Sequence, residues 1–143
     1  MKTIITLIVG LTLSGVSSAD PTSKPAPTKR EIKKLDKLPN VKVVSEDDKA
    51  VQIKITNDTG IDLSYSGYSA LNPWLNASHF DGNKWVAGQG HWCGTGVSTY
   101  VLKNNESIII KIGARDNTRY FTTFFDSKTK RYGVVILHEK KSG

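Results

Sequence analysis

A strict alternation of apolar and polar residues downstream of Val41 restricts this chain to a fold built mainly of strands. Val51, Ile53 and Ile55 are separated by single polar residues. Because successive side chains of a strand point to opposite faces, this spacing predicts a strand with one buried face. Residues 119–125 and 131–138 are rich in aromatic and β-branched residues, and their short polar link predicts an antiparallel hairpin.

Turn residues divide this part of the chain into short pieces. Residues 57–60 read Asn-Asp-Thr-Gly and predict a hairpin that joins the strand at 51–55 to a strand from Ile61. Asp81 and Gly82 predict a second hairpin with a two-residue type I′ turn. In residues 106–112, Ile109 lies opposite the face of the other isoleucines, which predicts local burial on both faces.

About seven short strands and no long helix are therefore expected between residues 41 and 143. Short strands with frequent turns are typical of a β-sandwich or a small barrel. We predict an all-β domain over residues 41–143. One domain is the expected number for 143 residues.

The first 40 residues have a different character. Lys2, an apolar run at residues 4–13 and small residues at 17–19 match a secretory signal peptide over residues 1–19. Residues 20–40 form a basic linker with three early prolines. A thin apolar stripe at Ile32, Leu35 and Leu38 is compatible with a marginal helix that Pro39 would end. The expected location is secreted or periplasmic, with no membrane span after signal cleavage.

The cysteine count and the net charge exclude some kinds of site and disfavour some partners. Cys93 is the only cysteine, which excludes an internal disulfide and multi-cysteine zinc sites. The formal net charge of +7 is concentrated in the linker. This favours a solvated tail, and neither export nor the sequence motifs favour nucleic acid as a partner.

A glycine-rich segment carries a motif that resembles a known group. Residues 92–96 read Trp-Cys-Gly-Thr-Gly, residues 105–107 read Asn-Glu-Ser and open a strand, and residues 65–68 read Tyr-Ser-Gly-Tyr. Over residues 51–112 the chain resembles uncharacterised small exported bacterial proteins with an immunoglobulin-like β-sandwich. The resemblance implies an antiparallel immunoglobulin-like sandwich and brings no activity. The turn before residue 107 is also similar to proteinase-inhibitor β-sandwiches, although Asn105 stands where glycine is more usual.

Aromatic residues predict a binding surface. Tyr68, Trp74 and Trp92, together with His91, are the candidate binding residues, since tyrosine and tryptophan anchor interfaces and stack on sugar rings. Trp74 is the best candidate for an exposed contact because it follows Pro73 in a loop. Of the other tryptophans, Trp85 or Trp92 is expected in the core.

Cys93 and His91 offer an alternative, since two residues apart on a strand they share a face. A thiolate activated by His91 would make the chain a cysteine-dependent enzyme. A buried structural cysteine is the favoured interpretation. No catalytic residue, metal or cofactor is expected, because the three histidines do not converge and no blue-copper methionine is present.

These observations favour a non-enzymatic binding module whose partner is a protein or glycan of the cell envelope. A secreted proteinase inhibitor is the first alternative, and the enzyme using Cys93 and His91 is the second. The binding module would act through loops of the sandwich, chiefly residues 70–77 and 88–96.

Overall fold

The computed structural model of the chain describes residues 33–88 and 96–142. The predicted signal peptide at residues 1–19 and the motif at residues 92–95 lie outside the described residues. Among the described residues there is no helix, so none is long and apolar enough to cross a membrane.

Eleven strands make up the described part of the chain, and β1, β5 and β7 have only two or three residues. In order they are β1 (Lys33–Lys34), β2 (Asn40–Glu46), β3 (Ala50–Thr56), β4 (Leu63–Ser69), β5 (Asn72–Pro73), β6 (Asn76–Phe80), β7 (Trp85–Ala87), β8 (Ser98–Leu102), β9 (Ser107–Gly113), β10 (Thr118–Asp126) and β11 (Arg131–Lys140).

Two sheets form a β-sandwich, as the alternation predicts. The larger sheet has eight strands, with β11, β10 and β4 at its centre, β8 beside β4, and the β6–β7 hairpin beside β10. The smaller sheet has three strands in the order β2-β3-β9. All pairs are antiparallel except β1 with β11.

The core lies between these sheets. The smaller sheet contributes alternate residues of β3 and β9, and the larger sheet contributes residues of β4, β8, β10 and β11. The buried apolar residues are Val51, Ile53, Ile55, Leu63, Tyr65, Leu102, Ile108, Ile110, Ile112, Phe124, Val135 and Leu137. The period-two pattern therefore identifies correctly the buried residues of β3, Leu63 and Tyr65 of β4, and the buried isoleucines of β9.

The turn at residues 57–60 does not close a hairpin, and that prediction is wrong. β3 pairs with β2 and β9 in the smaller sheet, whereas β4 pairs with β5, β8 and β10 in the larger one. The turn carries the chain from one sheet to the other. Local turn chemistry is the same in both cases, so it cannot reveal which strand becomes the hydrogen-bonded neighbour.

A second sheet crossing, between β8 and β9, lies against the first one and is joined to it by Asn57. The fully buried Asn57 side-chain amide donates hydrogen bonds to the carbonyls of Ile61 and Leu102, both at 2.8 Å. Its main chain donates to Glu106 at 2.9 Å and accepts from Asn105 at 2.6 Å. Asn105 adopts a φ of 66°, which asparagine tolerates better than most residues.

The two other predicted hairpins are present. β6 and β7 pair across residues 81–84, and β10 and β11 pair across residues 127–130. The type I′ prediction for Asp81 and Gly82 is wrong, because only Gly82 has a positive φ, at 96°. The Asp81 side chain instead accepts the N–H groups of Asn83 and Lys84, which extends the loop.

The strand at residues 106–112 is buried on one face only, so the prediction of burial on both faces is wrong. Ile109 is 52% exposed and lies on the outer face of β9, opposite Lys54 of β3. The smaller sheet has only one packed face, so the middle one of three consecutive isoleucines points to solvent.

The folded domain begins before residue 40. Lys33 and Lys34 form β1, so this stretch is extended rather than helical. Leu35 packs against the core. A Cβ added at Gly133 of β11 would overlap the side chains of Leu35 and Leu38. The absence of a side chain at Gly133 therefore allows these two leucines to pack against β11.

Asn57→Ala is expected to lower the free energy of unfolding by about 3 kcal/mol, because two carbonyls at the sheet crossing lose their donor. Urea denaturation measures the change. Asn83→Ala, in an exposed turn, is the matched control and is expected to stay within about 0.5 kcal/mol of the wild type. Equal effects of the two substitutions would contradict the role of Asn57.

A chain that starts at residue 41 is expected to be less stable than one that starts at residue 31, by roughly 2 kcal/mol, because it loses β1 and the packing of Leu35. Thermal unfolding of the two chains measures this. Identical midpoints would show that the segment before residue 40 contributes nothing to the fold.

Candidate functional site

Tyr68 and Trp74 form a stacked aromatic pair at one end of the larger sheet. Tyr68 lies near the end of β4, and Trp74 follows β5 directly. Their ring centroids are 5.9 Å apart and the ring planes differ by 18°. We call this pair, with the exposed Leu71 between them in sequence, the aromatic platform. The structure thus brings together two of the four residues predicted to bind a ligand.

The main chain of the β4–β5 hairpin holds the platform in place. The N–H of Trp74 donates to the carbonyl of Ser66 at 2.7 Å, and the hydroxyl of Thr122 donates to the carbonyl of Trp74 at 2.8 Å. The hydroxyl of Tyr65 donates to the carbonyl of Ala70 at 2.5 Å. These bonds do not involve the platform rings, so the rings are presented by an independently anchored backbone.

Gly67 allows the hairpin to close tightly. A Cβ at this position would lie 2.7 Å from the carbonyl oxygen of Asn72, closer than real Cβ atoms approach. A side chain there would push β5 away from β4 and separate the two rings. Gly67 is therefore required for the close strand approach that lets Tyr68 stack on Trp74.

Two of the three platform residues are exposed. Tyr68 is 49% exposed and Leu71 is 64% exposed. Trp74 is half-buried, so it is less exposed than the sequence predicts. Gly96 lies against Tyr68, with a Cβ-to-ring distance of 4.0 Å if a Cβ is added. His91, Trp92 and Cys93 lie outside the described residues.

Trp85 is half-buried on the sheet surface, so it does not take the core position considered for it. It contacts Phe80 across the β6–β7 hairpin, with ring centroids 5.2 Å apart. The guanidinium of Arg119 covers its ring at 4.3 Å, and Arg119 also pairs with Glu139 at 2.7 Å. This cluster fixes the hairpin to β10 and leaves the Trp85 ring face occupied.

A shallow depression of about 450 Å³ lies near the sheet crossing and contains two carboxylates, Asp62 and Asp126. Asp62 accepts the N–H of Asn104 at 2.9 Å. Asp126 accepts the hydroxyl of Thr129 and the N–H of Lys128, which lowers the pKa of its carboxyl group below the usual value. Both groups therefore support turns.

No three histidine, cysteine, aspartate or glutamate side chains among residues 33–88 and 96–142 are grouped in a way that could hold a metal ion. The described carboxylates occur mainly at turns, where they accept backbone N–H bonds. The aromatic platform is thus the arrangement with the clearest capacity for recognition in this part of the chain.

Asp126→Asn is expected to lower stability at pH 7, because the amide replaces a carboxylate that accepts two hydrogen bonds. The folded-state pKa of Asp126 lies below its unfolded value of about 3.9. Its stabilising contribution is therefore present above about pH 4 and is lost as the pH falls through the folded-state pKa.

Urea denaturation between pH 7 and pH 2 measures this dependence. The stability difference between the wild type and Asp126→Asn is expected to shrink on acidification. Asp48→Asn removes the same charge from a carboxylate that accepts no hydrogen bond within the described residues, and serves as the control. A difference that stays constant with pH would contradict the assignment.

Comparison with known proteins leaves the chain without an assigned family. No protein-family model, no curated protein and no solved structure gives a significant match. The resemblance of residues 51–112 to small exported bacterial proteins stays a prediction from the motif alone.

Proposed function

We propose that this chain is an exported, non-enzymatic binding module of the cell envelope or medium that holds a glycan on its aromatic platform. The stacking of the exposed Tyr68 on the half-buried Trp74 is the observation that carries the proposal. Flat aromatic rings offer large apolar contact area with little loss of side-chain freedom on binding, and the tyrosine hydroxyl adds a polar contact.

The charge around the platform favours a neutral glycan over a charged ligand. Residues 63–80, which span the β4–β5 hairpin and β6, contain no lysine, arginine, aspartate or glutamate, although these make up 23% of the chain. Their polar side chains are those of serine, asparagine, tyrosine, tryptophan and histidine, and most of these can both donate and accept hydrogen bonds as sugar hydroxyls require. A neutral aromatic surface lined with hydroxyl and amide groups matches the faces of neutral sugars.

The construction of the hairpin supports a binding role. A rigid backbone limits the entropy lost on binding, because the rings need not be ordered by the ligand. The main-chain bonds of Trp74 and the close approach at Gly67 provide that rigidity.

Tyr68→Ala is expected to weaken binding to a neutral polysaccharide at least tenfold, about 1.4 kcal/mol, because half of the stacking surface is removed. The assay is co-sedimentation of the chain with a panel of insoluble neutral polysaccharides. Since Trp74 is half-buried and its substitution also affects packing, Tyr68 gives the cleaner test.

Phe125→Ala is the matched control for this experiment. Phe125 is also a partly exposed aromatic residue of the larger sheet, but it lies on β10 away from the platform. It is expected to bind like the wild type. Polysaccharide binding that Tyr68→Ala leaves unchanged, or binding to no member of the panel, would contradict the proposal.

A further inference from the structure

One edge of β9 is an unpaired row of backbone groups. β9 pairs with β3 over seven residues without a register shift. The bonds from Asn57 N–H to Glu106 and from Ala114 N–H to Lys49 bracket this ladder. Because antiparallel pairs alternate, residues 108, 110 and 112 face β3, and residues 107, 109, 111 and 113 turn their N–H and C=O groups outward.

Those outward groups have no partner among the described residues, since β9 pairs only with β3 there. Unpaired strand edges attract further strands, and natural sheets normally shorten, bend or cover them. The free edge of β9 is therefore able to pair with a further strand.

The other edges in the described chain are shorter or less regular than β9. β2, the opposite edge of the same sheet, has a register shift between Val43 and Ser45. In the larger sheet β1 and β5 have two residues, β7 has three and β8 has five. The outer side of β11 is covered by β1 only at residues 131–132, but β11 has a register shift opposite Tyr120 and Phe121. β9 combines full length, regular pairing and the absence of proline, so it differs from every other described edge.

The outer face beside this edge is cationic. Lys42 and Lys54 lie directly opposite each other on β2 and β3, Lys54 lies opposite Ile109, and Lys111 follows on β9. Like charges in direct cross-strand positions are destabilising. No outward-facing residue of the three strands is a carboxylate.

The nearest acidic group on this side is Asp47, in the turn between β2 and β3. One of its carboxylate oxygens accepts the N–H groups of Lys49 and Ala50, both at 2.8 Å. Asp47 therefore caps its own turn. It also attracts Lys111 electrostatically, but no carboxylate among the described residues forms a salt bridge with Lys42, Lys54 or Lys111.

We propose that the free edge of β9 binds an extended acidic segment of a partner protein as a fourth strand of the smaller sheet. The main-chain groups of residues 107, 109, 111 and 113 supply the hydrogen bonds, as in other cases of strand addition. Acidic residues of the partner lie on the outer face beside Lys111, and its apolar residues lie on the inner face beside the buried isoleucines of β9, so the partner strand alternates acidic and apolar residues.

This edge is separate from the aromatic platform, which lies on the larger sheet. A second copy of the chain fits the β9 edge less well than an acidic strand. Pairing two β9 strands about Ile109 would join two lysine faces in one sheet, and each chain carries a net charge of +7. Charge complementarity thus favours an acidic partner.

Blocked eight-residue peptides of alternating glutamate and valine test the proposal, with alternating lysine and valine as the reversed-charge control. Fluorescence anisotropy with the mature chain is expected to show binding of the glutamate peptide only. N-methylation of alternate backbone groups of that peptide is expected to abolish binding, because it removes donors to the β9 edge.

Variants of the chain separate charge from edge pairing. Lys111→Glu is expected to weaken binding of the glutamate peptide at least tenfold, whereas Lys84→Glu, with the same charge change in the β6–β7 turn, is expected to stay within twofold. Ile109→Pro is expected to abolish binding, since it removes an outward N–H that β3 does not use. Circular dichroism verifies that each variant is folded.

Several outcomes would overturn the inference. These are equal binding of the lysine peptide, equal effects of Lys111→Glu and Lys84→Glu, or binding that survives N-methylation. A dimer of the chain alone that Ile109→Pro dissociates would assign the edge to a second copy instead. Polysaccharide binding by Lys111→Glu is expected to match the wild type, so failure here leaves the platform unaffected.

Discussion

The buried side chain of Asn57 is the interaction on which this sandwich depends. Its amide and main chain join the two turns that carry the chain between the sheets, from β3 to β4 and from β8 to β9. Both crossings expose carbonyls in a region that the core excludes from water, and an unpaired buried carbonyl is costly. One asparagine satisfies two of them and thereby sets how the sheets meet.

The two sheets are unequal, and this inequality produces the candidate surfaces. Three strands face a sheet of eight, so the smaller sheet ends at β9 on one side and at β2 on the other. The larger sheet extends beyond the shared core and carries the β4–β5 and β6–β7 hairpins. Recognition by a platform and by a strand edge is then possible without disturbing the packed interior.

Much of the candidate site could be predicted from the sequence, but not its arrangement. The aromatic composition predicts Tyr68 and Trp74 as candidate binding residues. Their stacking depends on the close approach of β5 to Gly67, which no local pattern reports. The free edge of β9 could not be predicted from the sequence. Ile109 has the apolar character of a buried residue, and its outward position is known only once the neighbouring strands are known. The position of Ile109 opposite Lys54 indicates that Ile109 faces outward, but this position is known only after the strand pairing is established.

The sequence by itself determined the all-β class, the positions of most long strands and the buried residues of β3 and β9, because side-chain alternation and turn preference act over a few neighbouring residues. Tertiary structure alone decided which strands became neighbours. The turn at residues 57–60 could equally have closed a hairpin, yet it crosses between sheets, since the core is filled and Asn57 is satisfied only in that arrangement. Strand pairing depends on packing between residues that are far apart in the sequence. The platform and the free edge of β9 both result from that pairing.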